Sequence, residues 1–382
     1  MKIGFDAKRA YNNHRGLGNY SRDAIRILST QHAENQYFLY TPKISGDIFF
    51  EVCENCHTIL PEGFLAKKMP SAWRTYGLAE EAKREKLELY HGLSHELPVG
   101  IEKSEAATVV TMHDLIFLKF PQLYPTIDRV LYRKKYLRSC RVADRIIAIS
   151  EQTKRDLVEL AKIDEKKIDV VYQGCSPNFQ TLLSAEERKN ICQKYTLPAE
   201  FMLSVGALEE RKNHILILKA MALQQIDFPL VIIGNETPYT PTLHHFIAEN
   251  HLENRVTILT GVPFSDFPAL YQSATLFLYP SLFEGFGIPV LESLWSRVPV
   301  IAATGSCLEE SGGLGSCYVS PKNAEELGNQ IVNILTDSEC RKKMIENGVK
   351  HAQKFTDEAI ANNLWNVYLK AVENHQKSIA NH

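Results

Sequence analysis

Short runs of Val, Ile, Leu and Phe alternate along the chain with longer stretches in which apolar residues recur every third or fourth position. The short runs lack strict apolar–polar alternation, which predicts strands buried on both faces, as in a parallel sheet. The longer stretches predict amphipathic helices. In the first half the pattern places strands at 2–6, 36–41, 57–60, 88–91, 107–112, 145–149 and 168–172, and helices at 17–31, 72–86, 127–141 and 150–161. A cluster of turn formers, Gln173-Gly174-Cys175-Ser176-Pro177-Asn178, then breaks the series. It resumes with strands at 201–205, 229–233, 255–259, 275–279, 298–302 and 316–319, and helices at 184–195, 212–223, 240–250, 266–273, 288–296, 323–336 and 338–353. A last helix, 356–375, carries Ile360, Leu364, Val367, Tyr368 and Ala371 on one stripe, and the polar tail 376–382 is expected to be loose.

This alternation predicts an α/β fold with parallel sheets. The 382 residues exceed what one core sustains, about 250–300 residues, so two domains are expected, 1–178 and 179–355, followed by the segment 356–382. Open parallel sheets bind ligands at the carboxyl ends of their strands, which directs attention to the loops there.

Composition narrows the class. A net charge of −2 argues against a nucleic-acid binder. Residues 1–178 carry 27 Lys+Arg and 23 Asp+Glu, so the excess of acid lies in the second half. No apolar run reaches the roughly 18 residues of a membrane span, and Met1-Lys2-Ile3-Gly4-Phe5-Asp6 leads directly into a strand. A cytoplasmic location is expected, with the eight cysteines reduced. Cys53-Glu54-Asn55-Cys56-His57 matches a haem-attachment spacing, but no export signal or second cysteine pair accompanies it, and no cofactor or metal is expected.

Chemistry concentrates in the strand-end loops. In Ser281-Leu-Phe-Glu-Gly-Phe-Gly-Ile-Pro-Val-Leu-Glu292, Glu284 and Glu292 stand eight positions apart. The order is strand, glycine loop, helix. Gly285 and Gly287 allow close backbone approach to a ligand, and Pro289 suits a first helical turn. Earlier, Gly206 ends a strand and Arg211-Lys212 opens a helix. A point charge beside a guanidinium fork suits a diphosphate. Arg15-Gly16-Leu17-Gly18-Asn19-Tyr20 is another strand-to-helix turn, without the third glycine or later acidic residue of a dinucleotide site. His113-Asp114 and His91-Gly92-Leu93-Ser94-His95-Glu96 follow two further strands. Read as residues alone, these segments also fit simple tight turns, solvated charges and structural histidines.

Together the segments resemble the retaining glycosyltransferases of family 4, which have two Rossmann-like domains facing a cleft and a Glu-x7-Glu signature. The resemblance implies an N-terminal acceptor domain, a C-terminal nucleotide-sugar domain and a terminal helix crossing back to the first. It assigns Glu292 to the ribose, and Gly206, Arg211 and Lys212 to the diphosphate. Glu284 would hold the donor sugar with the backbone at Phe286 and Gly287. Gly16 and Gly18 would border the donor phosphates. His113 would touch the sugar's far edge, with Asp114 capping its loop, while His91, Ser94 and His95 would meet the acceptor. The slot after the glycine often holds Arg in this family but is Ala207 here, and Arg211 is the expected substitute.

The implied reaction moves a hexose, with mannose favoured, from a nucleotide-diphosphate sugar to a glycan, polysaccharide or lipid-linked acceptor. Configuration would be retained and no metal used, since no Asp-x-Asp motif stands in a suitable loop. A sugar-nucleotide 2-epimerase and a non-catalytic sugar-nucleotide-binding protein remain alternatives. Two basic-aromatic segments, Lys67 to Tyr76 (with Trp73 and Arg74) and Arg129 to Arg145, could meet an anionic membrane surface. In the second, Lys134, Arg138 and Arg141 share a helix face, opposite Tyr132 and Tyr136.

Overall fold

A computed structural model describes residues 1–13, 16–44, 50–123 and 125–380. The chain divides into two compact units, Met1–Gln173 with Thr356–His382, and Gly174–Phe355. Arg15, at the head of the first glycine turn, lies outside the described residues.

Among the described residues the first unit holds seven parallel strands: β1 (Lys2–Asp6), β2 (Gln36–Tyr40), β3 (Cys56–Ile59), β4 (Leu89–Gly92), β5 (Ala107–Met112), β6 (Arg145–Ala148) and β7 (Ile168–Val170). Their order is β3-β2-β1-β4-β5-β6-β7. The sheet grows to one side from β1 and to the other from β4, so its switch point lies between these two strands. Parallel pairing sets Phe5 opposite His91, and His91 opposite Val109. Leu78, Tyr90, Val110, Ile146 and Leu157 belong to the core of this unit.

The second unit repeats the plan with six strands: β8 (Met202–Val205), β9 (Leu230–Ile233), β10 (Val256–Leu259), β11 (Leu276–Tyr279), β12 (Val300–Ala303) and β13 (Cys317–Val319). The order β10-β9-β8-β11-β12-β13 puts its switch point between β8 and β11. Ile217, Met221, Leu230, Ile232, Leu278 and Ile331 anchor its core. The inner strands β4, β5, β8, β9, β11 and β12 are buried along their whole length, which explains their near-continuous apolar runs, because helices cover both faces of a parallel sheet.

The terminal helix Asp357–Ala380 belongs to the first unit. Its stripe of Ile360, Leu364, Val367, Tyr368 and Ala371 is buried, as its helical spacing predicts. Arg26 holds Asp357 through two bonds of 2.6 and 3.1 Å, and His32 stacks on Trp365 with centroids 4.3 Å apart. The polar tail differs from expectation. It continues as helix to Ala380, where good helix formers and a Lys377–Glu373 pair one turn apart support it without burial. The helix expected over 72–86 is also uneven, because Trp73–Gly77 winds as a wider π turn before Leu78–Arg84.

Candidate active site

In the second unit, the loops after β8 and β11 meet at the switch point. The first winds through one tight turn, Glu210–Lys212, to Asn213, which adopts the left-handed conformation with φ 58°. The Asn213 amide donates to the carbonyls of Pro280 and Pro321, each at 2.9 Å. The Leu282 N–H donates to the Arg211 carbonyl at 2.8 Å, so the loops are locked together.

Three of the expected site residues then touch. Lys212 Nζ lies 2.7 Å from Glu284 Oε1, and Arg211 Nη1 lies 2.9 Å from Glu284 Oε2. Arg211 also donates to the Phe283 carbonyl at 2.7 Å and to Glu209 at 2.6 Å. Glu284 accepts further bonds from Ser281 at 2.6 Å and Tyr279 at 3.0 Å, while Lys212 donates to Tyr279 at 2.7 Å. The Lys212 stem lies over Gly206, where a Cβ would come within 3.1 Å of it.

Burial favours the neutral form of Glu284, but the charges of Lys212 and Arg211, with the bonds from Lys212 and Ser281, outweigh it. They hold its carboxyl at about 2. Glu284 is therefore fully ionised at neutral pH. The cluster is a cradle of two cations held in place by one largely buried carboxylate.

Gly287 precedes the helix Ile288–Trp295 at φ 112°, and a Cβ there would lie 2.6 Å from Leu308 Cδ2. Both facts require glycine. Phe286 buries its ring, edge-on to Phe355 with centroids 5.5 Å apart. Glu292 sits one turn into that helix, buried, and accepts from Tyr271 Oη at 2.8 Å. Tyr279, Ser281 and Tyr271 were not picked out from sequence. Their signal is chemical: a hydroxyl in or just after an apolar run must find a partner when buried.

In the first unit, His113 is buried at the end of β5. Its Nε2 meets the Leu93 carbonyl at 2.9 Å, so that nitrogen carries the proton, and Nδ1 accepts from Gln173 at 3.3 Å. The His113 backbone N–H donates to His95 Nε2 at 3.0 Å, which places the His95 proton on Nδ1. Burial pushes both rings down to about 3, with Arg9 the second cause for His95 and the His95 ring the second for His113, so both are neutral at pH 7. Asp114 caps the following turn, accepting from the Ile116 N–H at 3.1 Å.

His91 has no exposed surface, and both ring nitrogens are engaged inside the unit, with Tyr368 Oη at 2.7 Å and Thr111 Oγ1 at 2.8 Å. It bolts the terminal helix to the sheet and offers no acceptor contact. Ser94 and His95 border a pocket in this unit. Gly18 is a packing glycine: a Cβ there would lie 1.8 Å from the Asn13 carbonyl oxygen, whereas Gly16 has open space.

Several residues of the basic-aromatic segments are spent internally, among them Arg145, which pairs with Asp169. Trp73 packs in the core. Arg74 is nearly buried against Asp6 at 2.5 Å and Glu96 at 3.1 Å. Arg138 donates to the carbonyls of Leu97 and Pro98 and to Glu102. A one-dimensional charge count cannot see such partners.

Comparison with known proteins agrees with this architecture. Residues 15–179 match the family described as Glycosyltransferase Family 4, and residues 187–351 match Glycosyl transferases group 1. The chain is 29% identical over 286 residues to an O-antigen chain mannosyltransferase B of Escherichia coli, covering 73% of this chain and 74% of that one. A glycosyltransferase from Rickettsia africae superposes with a TM-score of 0.74 at 18% identity, covering 98% of this chain and 99% of that one. Anabaena HepE in complex with UDP and glucose gives 0.73 at 17%, covering 96% and 98%. The chain belongs to glycosyltransferase family 4, and its curated relatives place it beside the mannosyltransferases of that family.

Proposed function

We propose that the protein transfers a hexose, with mannose favoured, from a nucleotide-diphosphate sugar to a glycan or lipid-linked acceptor, with retention of configuration and without a metal ion. The observation that carries this reading is the partly buried Arg211–Lys212–Glu284 cluster at the switch point of the second sheet. Mannose is favoured because the relatives at 27–29% identity include several named mannosyltransferases.

In this reading Arg211 and Lys212 meet the diphosphate. Charge grows on the leaving phosphate oxygen as the bond to the anomeric carbon breaks, and two prepositioned cations stabilise it without reorganising. The acceptor hydroxyl attacks from the same face, and the leaving phosphate takes its proton. Glu284 passes from the cations to the sugar hydroxyls when the phosphates arrive. Glu292, oriented by Tyr271, accepts from the ribose. His113 meets the far edge of the sugar, whose hydroxyl would replace Gln173, the longer of its two ring contacts.

Among the described residues, no helix is long and apolar enough to cross a membrane. We place a peripheral contact with anionic lipid on the helix Thr126–Val142, where Ile127 and Val130 are exposed beside Arg133 and Lys134. Phe64 and Met69, beside Lys67 and Lys68, are likewise exposed and offer a second apolar-basic segment.

The test is a thermal-shift screen across UDP-, GDP- and ADP-sugars, followed by transfer assays on the donor that binds. Lys212→Met should lower kcat by about 10²–10³-fold, the usual cost of losing one such electrostatic contact. Near-wild-type turnover in this variant would remove the phosphate assignment. Epimer formed from the donor with no acceptor present would favour the epimerase instead.

A further inference from the structure

Few groups hold the Lys212 ammonium. Among the described residues it meets two polar partners, Glu284 Oε1 and Tyr279 Oη, each at 2.7 Å. Arg211 differs, because one of its bonds goes to a backbone group, the Phe283 carbonyl. In the proposed reaction Glu284 turns to the donor sugar. Of its two partners, Lys212 then keeps only Tyr279.

Tyr279 is placed so that it stays. It closes β11, an inner strand between β8 and β12, and its backbone is in register with Ala302. The side chain is buried. Its ring stacks on Phe277 with centroids 5.9 Å apart and planes at 18°, and Phe277 packs in turn on Tyr271 at 5.1 Å. Glu284, by contrast, sits on the glycine loop that follows the strand.

The hydroxyl has the right bonds to give. Burial, and then the charge of Glu284, raise it well above the ordinary tyrosine range, so it keeps its proton. That proton goes to Glu284 at 3.0 Å, and the oxygen's lone pairs are left for Lys212. The ammonium also lies 5.1 Å from the centre of the tyrosine ring. A phenylalanine would keep that ring and lose only the oxygen.

We infer that Tyr279 is a positioning residue for sugar transfer: its oxygen keeps the Lys212 ammonium on the diphosphate after Glu284 has turned to the sugar. This rests on the glycosyltransferase reading. A lysine stem is flexible, and a fixed acceptor restricts where its charge sits as the leaving phosphate becomes more negative. Tyr279 acts through Lys212 and touches no substrate itself.

The experiment is a double-mutant cycle on the full chain with Tyr279→Phe, Lys212→Met and the double variant. Turnover is read as nucleoside diphosphate released from GDP-mannose, UDP-glucose and ADP-glucose with water as acceptor. Rates are taken well below each variant's Tm, so that lost fold is not read as lost rate. Tyr279→Phe should lower kcat about tenfold to a hundredfold, the scale of one hydrogen bond to a charged group. KM for the donor should barely move, because the bond matters most where charge develops. In the Lys212→Met background the same change should cost nothing further. A tyrosine that only braced the fold would lower Tm and leave kcat of the folded enzyme unchanged. Wild-type kcat in Tyr279→Phe, or its full loss repeated on top of Lys212→Met, overturns the inference. If that happens while Lys212→Met is slow, this inference falls alone. If Lys212→Met turns over at the wild-type rate, or wild type releases nucleotide from none of the three donors, the underlying reading falls with it.

Discussion

Replacing Glu284 by Gln tests whether this carboxylate holds the cationic cradle together. The side chain keeps its shape but loses the charge that pairs with Lys212 and Arg211. A carboxyl held at about 2 in the folded protein, against 4.5 ordinarily, contributes about 3 kcal/mol at neutral pH. The sign follows from the depressed value. The contribution is complete above about pH 5 and is lost as pH falls toward 2. Removing one partner of a buried pair costs about 3–5 kcal/mol, which agrees with this figure. Arg211 keeps Glu209, but Lys212 loses the carboxylate that opposes its desolvation and lowers its charge further. For a unit of this size the expected loss is about 6–12 °C in Tm at pH 7, from about 2–4 °C per kcal/mol. Scanning calorimetry of wild type and variant from pH 7 to pH 3 reads it, and the gap should narrow toward the acid end. Added nucleoside diphosphate should recover more stability in the variant than in wild type, because its phosphates replace the missing anion. A variant that melts within about 1 °C of wild type at pH 7 would refute the claim that Glu284 organises the two cations.

Glu292→Ala should weaken nucleoside-diphosphate binding by about ten- to a hundredfold, the range for a charge-assisted hydrogen bond, with kcat at saturating donor changing less. Equilibrium titration with the free nucleotide checks this, and unchanged affinity would remove Glu292 from the ribose. Transfer should persist in excess EDTA, because fixed cations do the work of a metal; loss of turnover restored by one divalent ion would contradict that assignment. Co-sedimentation with liposomes should rise with anionic lipid and fall in an Ile127→Glu, Val130→Glu variant. Binding indifferent to both changes would remove the proposed membrane face.

The elements were readable because a parallel sheet buries its inner strands on both faces, which leaves compact apolar runs that turn formers separate cleanly. The same logic exposed the loops that end β8 and β11, where Gly206, Arg211, Lys212 and Glu284 interrupt apolar neighbours. Long-range partners were not readable. Arg74 reads as a basic surface residue until Asp6, 68 positions away, is seen beside it. His91 resembles a ligand-facing histidine at a strand end until Tyr368, 277 positions on, takes its Nδ1. Tyr279 reads as the end of an apolar strand, and its bonds to Lys212 and Glu284 appear only when two loops converge. Local pattern records what a residue is next to in sequence. It does not record what neutralises it.

The helix Asp357–Ala380 completes a core whose strands all come from residues before Gln173. During synthesis the opening half of the chain must wait, its hydrophobic groove uncovered, until Leu364, Val367 and Tyr368 have left the ribosome. The later-made half, Gly174–Phe355, has all its own residues first and can finish earlier. Order of manufacture and order of maturation are therefore reversed. A frameshift or stop near position 356 would cripple the half of the protein farthest from it in sequence.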